Sequence, residues 1–571
     1  MMPCKPASPS YEGEVPMSDT IVSRLRSLPR QDRRLVTVLA AAALVALIIG
    51  LAGGLLTALV RAGFLPALPE SGYRFLSIHG VSAFFYWLYF AQAALLLGFS
   101  AAERGNGGEK TGLVRHPLAL LGSIAMVLGF VLGLWASVMG SPPLYDGNPE
   151  LLVDEPLTVL VFSLGYVMLG LGLILVPGSA IASLLSSLGR GRRRSLDALG
   201  FALLAWSGFL IVTGFAAIHA FLPALLWATG LGDFPEAQET GWHILFHNLH
   251  YLPLMATVVV WYILMQVLTG AKSAFGARFS KLVFSLYLVF VPPTSLYHMF
   301  LDPGLPEYVK VAGSALSLLV SVPTLTAFLV IVASLEIHAR ASGATGLFGW
   351  LRKLPWDHPA TTAASLAVVN MMLGISLAFV LIQQKLAPLL SDTFFVPGYF
   401  HFFTVGTVSL SLLAGLSVLL PEMTGRHLRW PRLLRSLPWV ASAGLLVFGS
   451  AGVAAGYMGV PRRVMDVTYG GEAPAVWSTL MGLVGLGGTV MALSLLVYAA
   501  TVLASVFGGS KTAGIPFRAP IQWDGLPVGR NAAWTGPLSI LVIAVAMYGF
   551  SIIGFELLQA VPLIASGATG H

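Results

Sequence analysis

Long apolar stretches separated by short polar ones dominate the chain from about residue 35 onward. A helical membrane span needs roughly 20 apolar residues, and about thirteen stretches meet that length. They lie near 35–62, 73–101, 116–140, 156–186, 197–229, 242–269, 280–300, 309–338, 359–384, 396–421, 435–458, 474–507 and 534–562. Residues 1–34 form a polar segment without the short apolar core of a cleaved signal peptide, and Met17 is an alternative start. Residues 563–571 read as a short tail. No repeat of 20–50 residues divides the chain into halves. The expected fold is all-α: one polytopic membrane helical bundle over 35–562, with about 13 transmembrane helices.

Positive charge alternates from loop to loop. The N-terminal flank holds Arg24, Arg26, Arg30, Arg33 and Arg34. Clusters recur after every second span, as in Arg190–Arg194, Arg340–Lys353 and Arg426–Arg432, while 141–155 and 230–241 carry acids and no basic residue. The positive-inside rule then puts the N-terminus in the cytoplasm and, with an odd number of spans, the C-terminus outside. Arg462 and Arg463 break the pattern by falling on the outer side.

Composition sharpens this reading. The 571 residues are 56% hydrophobic and 10% charged, with a mean hydropathy of +0.82. Soluble chains carry about 25% charge, so a soluble enzyme, a disordered protein and a nucleic-acid-binding domain are all excluded. The net charge of +7 belongs to the loops facing the cytoplasm. Cys4 is the single cysteine, which excludes disulfides, iron–sulfur clusters and a two-cysteine copper centre. Any metal must be held by His, carboxylate, Tyr or Met.

Ionisable groups at membrane depth are costly and point to function. His79, His243, His247, His250, His298 and His401 fall within spans two, six, seven and ten. His243, His247 and His250 are spaced by four and three residues and share one helix face, with Tyr251 beside that stripe. Imidazoles from two helices can fix a metal between them, and His298 is the expected partner of this stripe. A lone His is more often a satisfied interior residue, whereas six in so apolar a chain favour cofactor binding.

These stretches resemble the catalytic subunit I of the haem–copper oxidase superfamily, most closely its B-type, cytochrome c oxidase-like branch. His79-Gly80-Val81, followed by Phe90-Ala91-Gln92-Ala93, resembles the helix-two segment that binds the low-spin haem. His247-Asn248-Leu249-His250-Tyr251 is similar to the helix-six His-x-x-x-Tyr, whose His binds copper and whose Tyr is the catalytic phenol. His298 through Asp302-Pro303-Gly304 resembles the helix-seven copper segment and its turn, placing Asp302 on the cofactor side. Val396-Pro397-Gly398-Tyr399-Phe400-His401 is similar to the helix-ten Val-Pro-Gly-His-Phe-His. Val460-Pro461-Arg462-Arg463 resembles the paired arginines that hold haem propionates, which accounts for the misplaced charge.

The chain departs from the family at two ligands. Tyr399 stands where the high-spin haem ligand is expected, and Tyr297 stands where the first of two adjacent copper-binding His is expected. The low-spin pair, His79 and His401, is intact. Two readings stay open: Tyr399 ligates a second haem while His250 replaces the missing copper ligand, or the binuclear site is degenerate. Span eight carries Ser317, Thr324 and Thr326, which with Tyr262 of span six resemble the hydroxyl-lined proton channel of B-type oxidases. Hydroxyls in helix interfaces read as ordinary packing just as well. Glu336 reads as a solvated or channel-mouth acid.

The resemblance implies a membrane oxidoreductase carrying a low-spin, b-type haem and, with an intact centre, a second high-spin haem and copper. It would reduce O2 to water in a bacterial-type inner (plasma) membrane. A nitric oxide reductase-like variant and a non-catalytic haem-carrying electron-transfer subunit are the alternatives. The implied donor is a cupredoxin-like or cytochrome c-type subunit, because this chain cannot form a two-cysteine copper centre. The other partners are O2 or NO and the lipid bilayer, with no nucleic acid.

Overall fold

A computed structural model describes residues 20–66, 69–106, 110–189, 194–236, 238–246, 253–291, 306–383, 386–510 and 533–560. Among them the regular elements are helices, and an isolated bridge joins Thr393 and Pro461. Among the described residues eleven helices are long and apolar enough to cross a membrane. The expected sixth span appears as Gln238–His243 and the shorter apolar helix Leu254–Thr269, and the expected seventh as Gly276–Phe290. The expectation of thirteen spans is therefore matched at eleven positions, with shorter helices at the other two.

Small residues let these helices approach closely. A Cβ on Gly129 would sit 2.6 Å from the Gly165 carbonyl oxygen, and one on Gly170 2.7 Å from that of Gly214. Gly444 and Gly487 make the same kind of crossing between Pro431–Tyr457 and Ala475–Gly508. Without a hydrophobic drive between helices in lipid, such close backbone packing is what holds a bundle together.

Buried acids pin the ends. Asp32 accepts from His116 Nδ1 at 2.6 Å and from Leu113 N at 2.9 Å, stapling the loop before His116–Met139 to the first long helix. Arg26 pairs with buried Glu422, and Arg24 with buried Glu103. Of the two readings of Glu336, a solvated or a channel-mouth acid, the structure overturns the first. Glu336 is fully buried, pairs with Arg340 at 2.7 Å and accepts from Thr535 N at 2.9 Å. A helix N-terminus arriving from 199 residues away in sequence satisfies this carboxylate, which no local pattern could show.

Candidate functional site

His79 lies in Glu70–Arg104 and His401 in Phe395–Thr424. In both helices a π-helical segment begins at the residue after the histidine: Gly80–Tyr86 in one and Phe402–Ser409 in the other. A π turn widens the helix and leaves carbonyls without their usual partners, and such turns concentrate at functional sites. Here side chains absorb the change. Thr407 Oγ1 donates to Phe402 O at 2.9 Å and Ser409 Oγ to Thr404 O at 2.7 Å, each five residues back. Trp87 Nε1 donates to Ser409 Oγ at 3.0 Å and joins the two widened stretches.

The imidazoles of His79 and His401 face each other across a cavity, with ring centroids 6.4 Å apart and planes within 6°. Imidazole nitrogens ligate metals at roughly 2 Å, and a ring nitrogen lies about 1 Å from its centroid, so two rings on opposite sides of one metal stand about 6 Å apart. Each Nδ1 is committed to a backbone carbonyl: Gly50 O at 2.8 Å for His79 and Pro397 O at 2.7 Å for His401. A proton on Nδ1 leaves Nε2 as the free ligand nitrogen on both rings. Gly54 makes room for the first ring, since a Cβ there would lie 2.6 Å from His79 Nδ1.

Among the described residues no group of three or more His, Cys, Asp or Glu could hold a metal ion alone. Two imidazoles therefore suit a metal whose other positions come from a planar macrocycle. The cavity has a volume of about 890 Å³ and is bordered by Trp87, Phe246, Phe400 and Phe448. Its rim carries Arg61, Arg462 and Arg463. Arg61 is 7% exposed, its Nε and Nη2 have no hydrogen-bond partner among the described residues, and its guanidinium lies over the Phe394 ring at 5.7 Å. Arg462 Nε and both amide atoms of buried Gln238 are likewise unpartnered. Buried guanidinium without a partner is costly, so this rim is built for a ligand bearing carboxylates. The donor set fits a haem, which His79 and His401 would hold by their free Nε2 atoms and whose carboxylates Arg61, Arg462 and Arg463 would offset.

The arginine loop is tied to the start of the His401 helix by Phe394 N to Val460 O at 2.7 Å and Arg462 N to Asp392 O at 3.0 Å. Arg462 pairs with Asp392 at 2.9 Å and Arg463 with Asp146 at 3.8 Å. Tyr399 is buried, also borders the cavity, and packs against Phe395, Phe400 and Phe403. Sequence reasoning missed Arg61, whose place in a span end hid it among interfacial arginines, and Gln238, which carries no periodic signal.

The expected hydroxyl file is only partly assembled. Tyr262 hydrogen-bonds Ser280 at 3.2 Å, and Ser280 reaches Ser273 at 3.0 Å. Buried Thr324 accepts from Tyr287 at 2.9 Å. Thr326 turns away and donates to its own helix, to Val322 O at 2.7 Å. Ser273, Ser280 and Tyr287 were not singled out from sequence. His247, His250, Tyr251, Tyr297, His298 and Asp302 lie outside the described residues, as does the side chain of Ser317.

A family profile described as "Cytochrome C and Quinol oxidase polypeptide I" matches residues 34–490. The chain is similar to "Cytochrome c oxidase subunit 1" of Thermus thermophilus, with 31% identity over 306 residues, 52% of this chain and 54% of that protein. It thus spans about half the length of that relative. The namesake from Synechocystis is 23% identical over 508 residues, 82% of this chain and 84% of that protein. A solved structure described as a heme-copper terminal oxidase dimer matches with a TM-score of 0.75 and 21% identity, covering 92% of both chains. The profile takes in both histidines, all three rim arginines and most of the helices around them, and on that basis the chain belongs to the cytochrome c and quinol oxidase polypeptide I family.

Proposed function

We propose that the chain is the haem-carrying catalytic subunit of a terminal oxidase, passing electrons from a low-spin haem at His79 and His401 to a modified binuclear centre that reduces O2 to water. The observation that carries the reading is the facing imidazole pair, 6.4 Å apart and parallel within 6°. A haem held there supplies one-electron redox chemistry at its iron. The protein's own part is to fix both tautomers through Gly50 O and Pro397 O, and to offset anionic edges with Arg61, Arg462 and Arg463. Tyr262–Ser280–Ser273 and Tyr287–Thr324 offer two hydroxyl pathways for holding and passing protons.

His247, His250 and His298 are the proposed copper ligands, and Tyr251 the phenol that favours O2 over NO. The donor is proposed to be a cupredoxin-like or cytochrome c-type subunit in a bacterial-type plasma membrane, docking at the arginine end. A second reading, a non-catalytic haem carrier, is favoured by one feature, the replacement of two expected His by Tyr297 and Tyr399.

Haem and metal content of the purified complex separates the two. Two haems and one copper per chain support the oxidase, whereas one haem without copper supports the carrier. His79→Ala or His401→Ala should abolish the low-spin optical band. An unchanged spectrum in His401→Ala would remove the site.

A further inference from the structure

The stretch between His116–Met139 and Pro156–Ser186 contributes Tyr145, Asp146 and Asn148 to the cavity lining. Leu144 and Gly147 adopt positive φ of 52° and 57°, and a Cβ on Gly147 would collide with the Phe162 ring at 2.3 Å, so the turn is built for glycine. Gly80, next to His79, lacks the Cβ that would strike Tyr145 at 2.7 Å. These two glycines bring Tyr145 and Asp146 onto the cavity wall.

Asp146 Oδ2 lies 3.8 Å from Arg463 Nη2, and Tyr145 lines the same cavity beside them. Tyr73 donates to the Arg463 backbone carbonyl at 3.0 Å. Arg463 is thus held by its side chain from one segment and by its backbone from another. Its neighbour Arg462 pairs with Asp392, whose side chain is 81% exposed, whereas that of Asp146 is 13% exposed. Exposed pairs are screened and worth little, so of the two acids on the rim Asp146 has the greater reach into the cavity.

We propose that Asp146 is a positioning residue of the propionate clamp: it sets where Arg463 can meet a haem carboxylate, and its charge holds the potential of the low-spin haem down. This rests on the haem reading of His79 and His401. A fixed negative charge favours ferric over ferrous iron, and removing it favours reduction. The charged and titratable groups around Asp146 are Arg463 at 3.8 Å, Arg61, Arg462, Asp392 and Tyr145 on the same cavity wall, and Tyr166, whose hydroxyl donates to Tyr145 O at 3.4 Å. Burial raises the Asp146 carboxyl above its ordinary range while Arg463 opposes the shift, as expected of an acid held by one guanidinium.

The test is a redox titration of the low-spin band, with haem counted per chain, in the purified complex carrying Asp146→Asn, Asp146→Glu or Asp392→Asn. Asp146→Asn should keep its haem and favour reduction roughly tenfold, the order of magnitude for removing one partly buried charge from the cavity wall. That is about 59 mV for a one-electron couple. Asp146→Glu should return to within about twofold of wild type, and Asp392→Asn should move less than Asp146→Asn. Full haem content with a wild-type potential in Asp146→Asn would overturn the proposal. So would failure of Asp146→Asn to assemble, because it would make Asp146 a folding residue rather than a positioning one. A wild-type complex without the low-spin band, or one that keeps it after His79→Ala, would instead remove the haem reading itself.

Discussion

One methyl group at residue 54 tests the imidazole geometry. In Gly54→Ala the new Cβ would lie 2.6 Å from His79 Nδ1, against the nitrogen that donates to Gly50 O. The ring must rotate or the helices must part, at a cost of about 1–3 kcal/mol for overpacking. The expected outcome is a folded chain with at least a twofold loss of the low-spin haem band per chain, measured by optical difference spectroscopy on quantified protein. Tyr399 is tested by the opposite kind of change. Its ring is buried among Phe395, Phe400 and Phe403, and a phenolate on ferric iron lowers the haem potential relative to His. Tyr399→His is expected to increase O2 consumption if the second centre is an intact but modified reductase. A wild type with one haem, and a variant that still binds one, would end that reading.

At the scale of elements, the π turns after His79 and His401 and the cap on Pro359–Leu381 make separate predictions. Thr407 and Ser409 take up π-turn carbonyls, and Ser409 also receives Trp87. Ser409→Ala leaves the buried Trp87 N–H unpaired at a cost of about 1–3 kcal/mol. Its melting temperature in detergent should fall, and the low-spin band should broaden as the two helices lose their tie. At the other cap, His358 Nδ1 accepts from Ala360 N at 3.1 Å. Burial lowers its imidazole from 6.5 to about 4, with Asp357 opposing the shift. A folded pKa below the unfolded one means that the cap contributes fully above pH 6.5 and is lost as pH falls through about 4. Thermal stability should decline across that window, and His358→Asn, which caps without titrating, should flatten the decline by about 1 kcal/mol.

The whole bundle makes a prediction about direction. Basic loops alternate with acidic ones, and the arginine clamp lies at the end that the charge rule places outside. A reporter fused at the N-terminus is expected on the cytoplasmic side, and one in 141–155 on the outer side. Reporters read in the reverse sense would put the haem edge, and the proposed donor site, on the wrong face of the membrane.

Much of this was legible in the chain alone. Span length and hydropathy follow from local composition, because a bilayer demands about 20 apolar residues whatever the neighbours do. His79, His401, Arg462 and Arg463 stood out because polar groups in or beside apolar spans are rare enough to be informative. Tertiary structure decided what those residues face. The parallel rings, the π turns behind them and the unpartnered Arg61 depend on helices far apart in sequence coming together. Glu336 shows the limit most plainly, since its partner Thr535 lies beyond the reach of any periodic pattern. Asp146 looked like one acid among several in an acidic loop, and only the turn at Gly147 and the gap at Gly80 bring it to Arg463. Periodicity reports which side of a helix is apolar; which groups meet across a cavity is set by packing, and packing is not local.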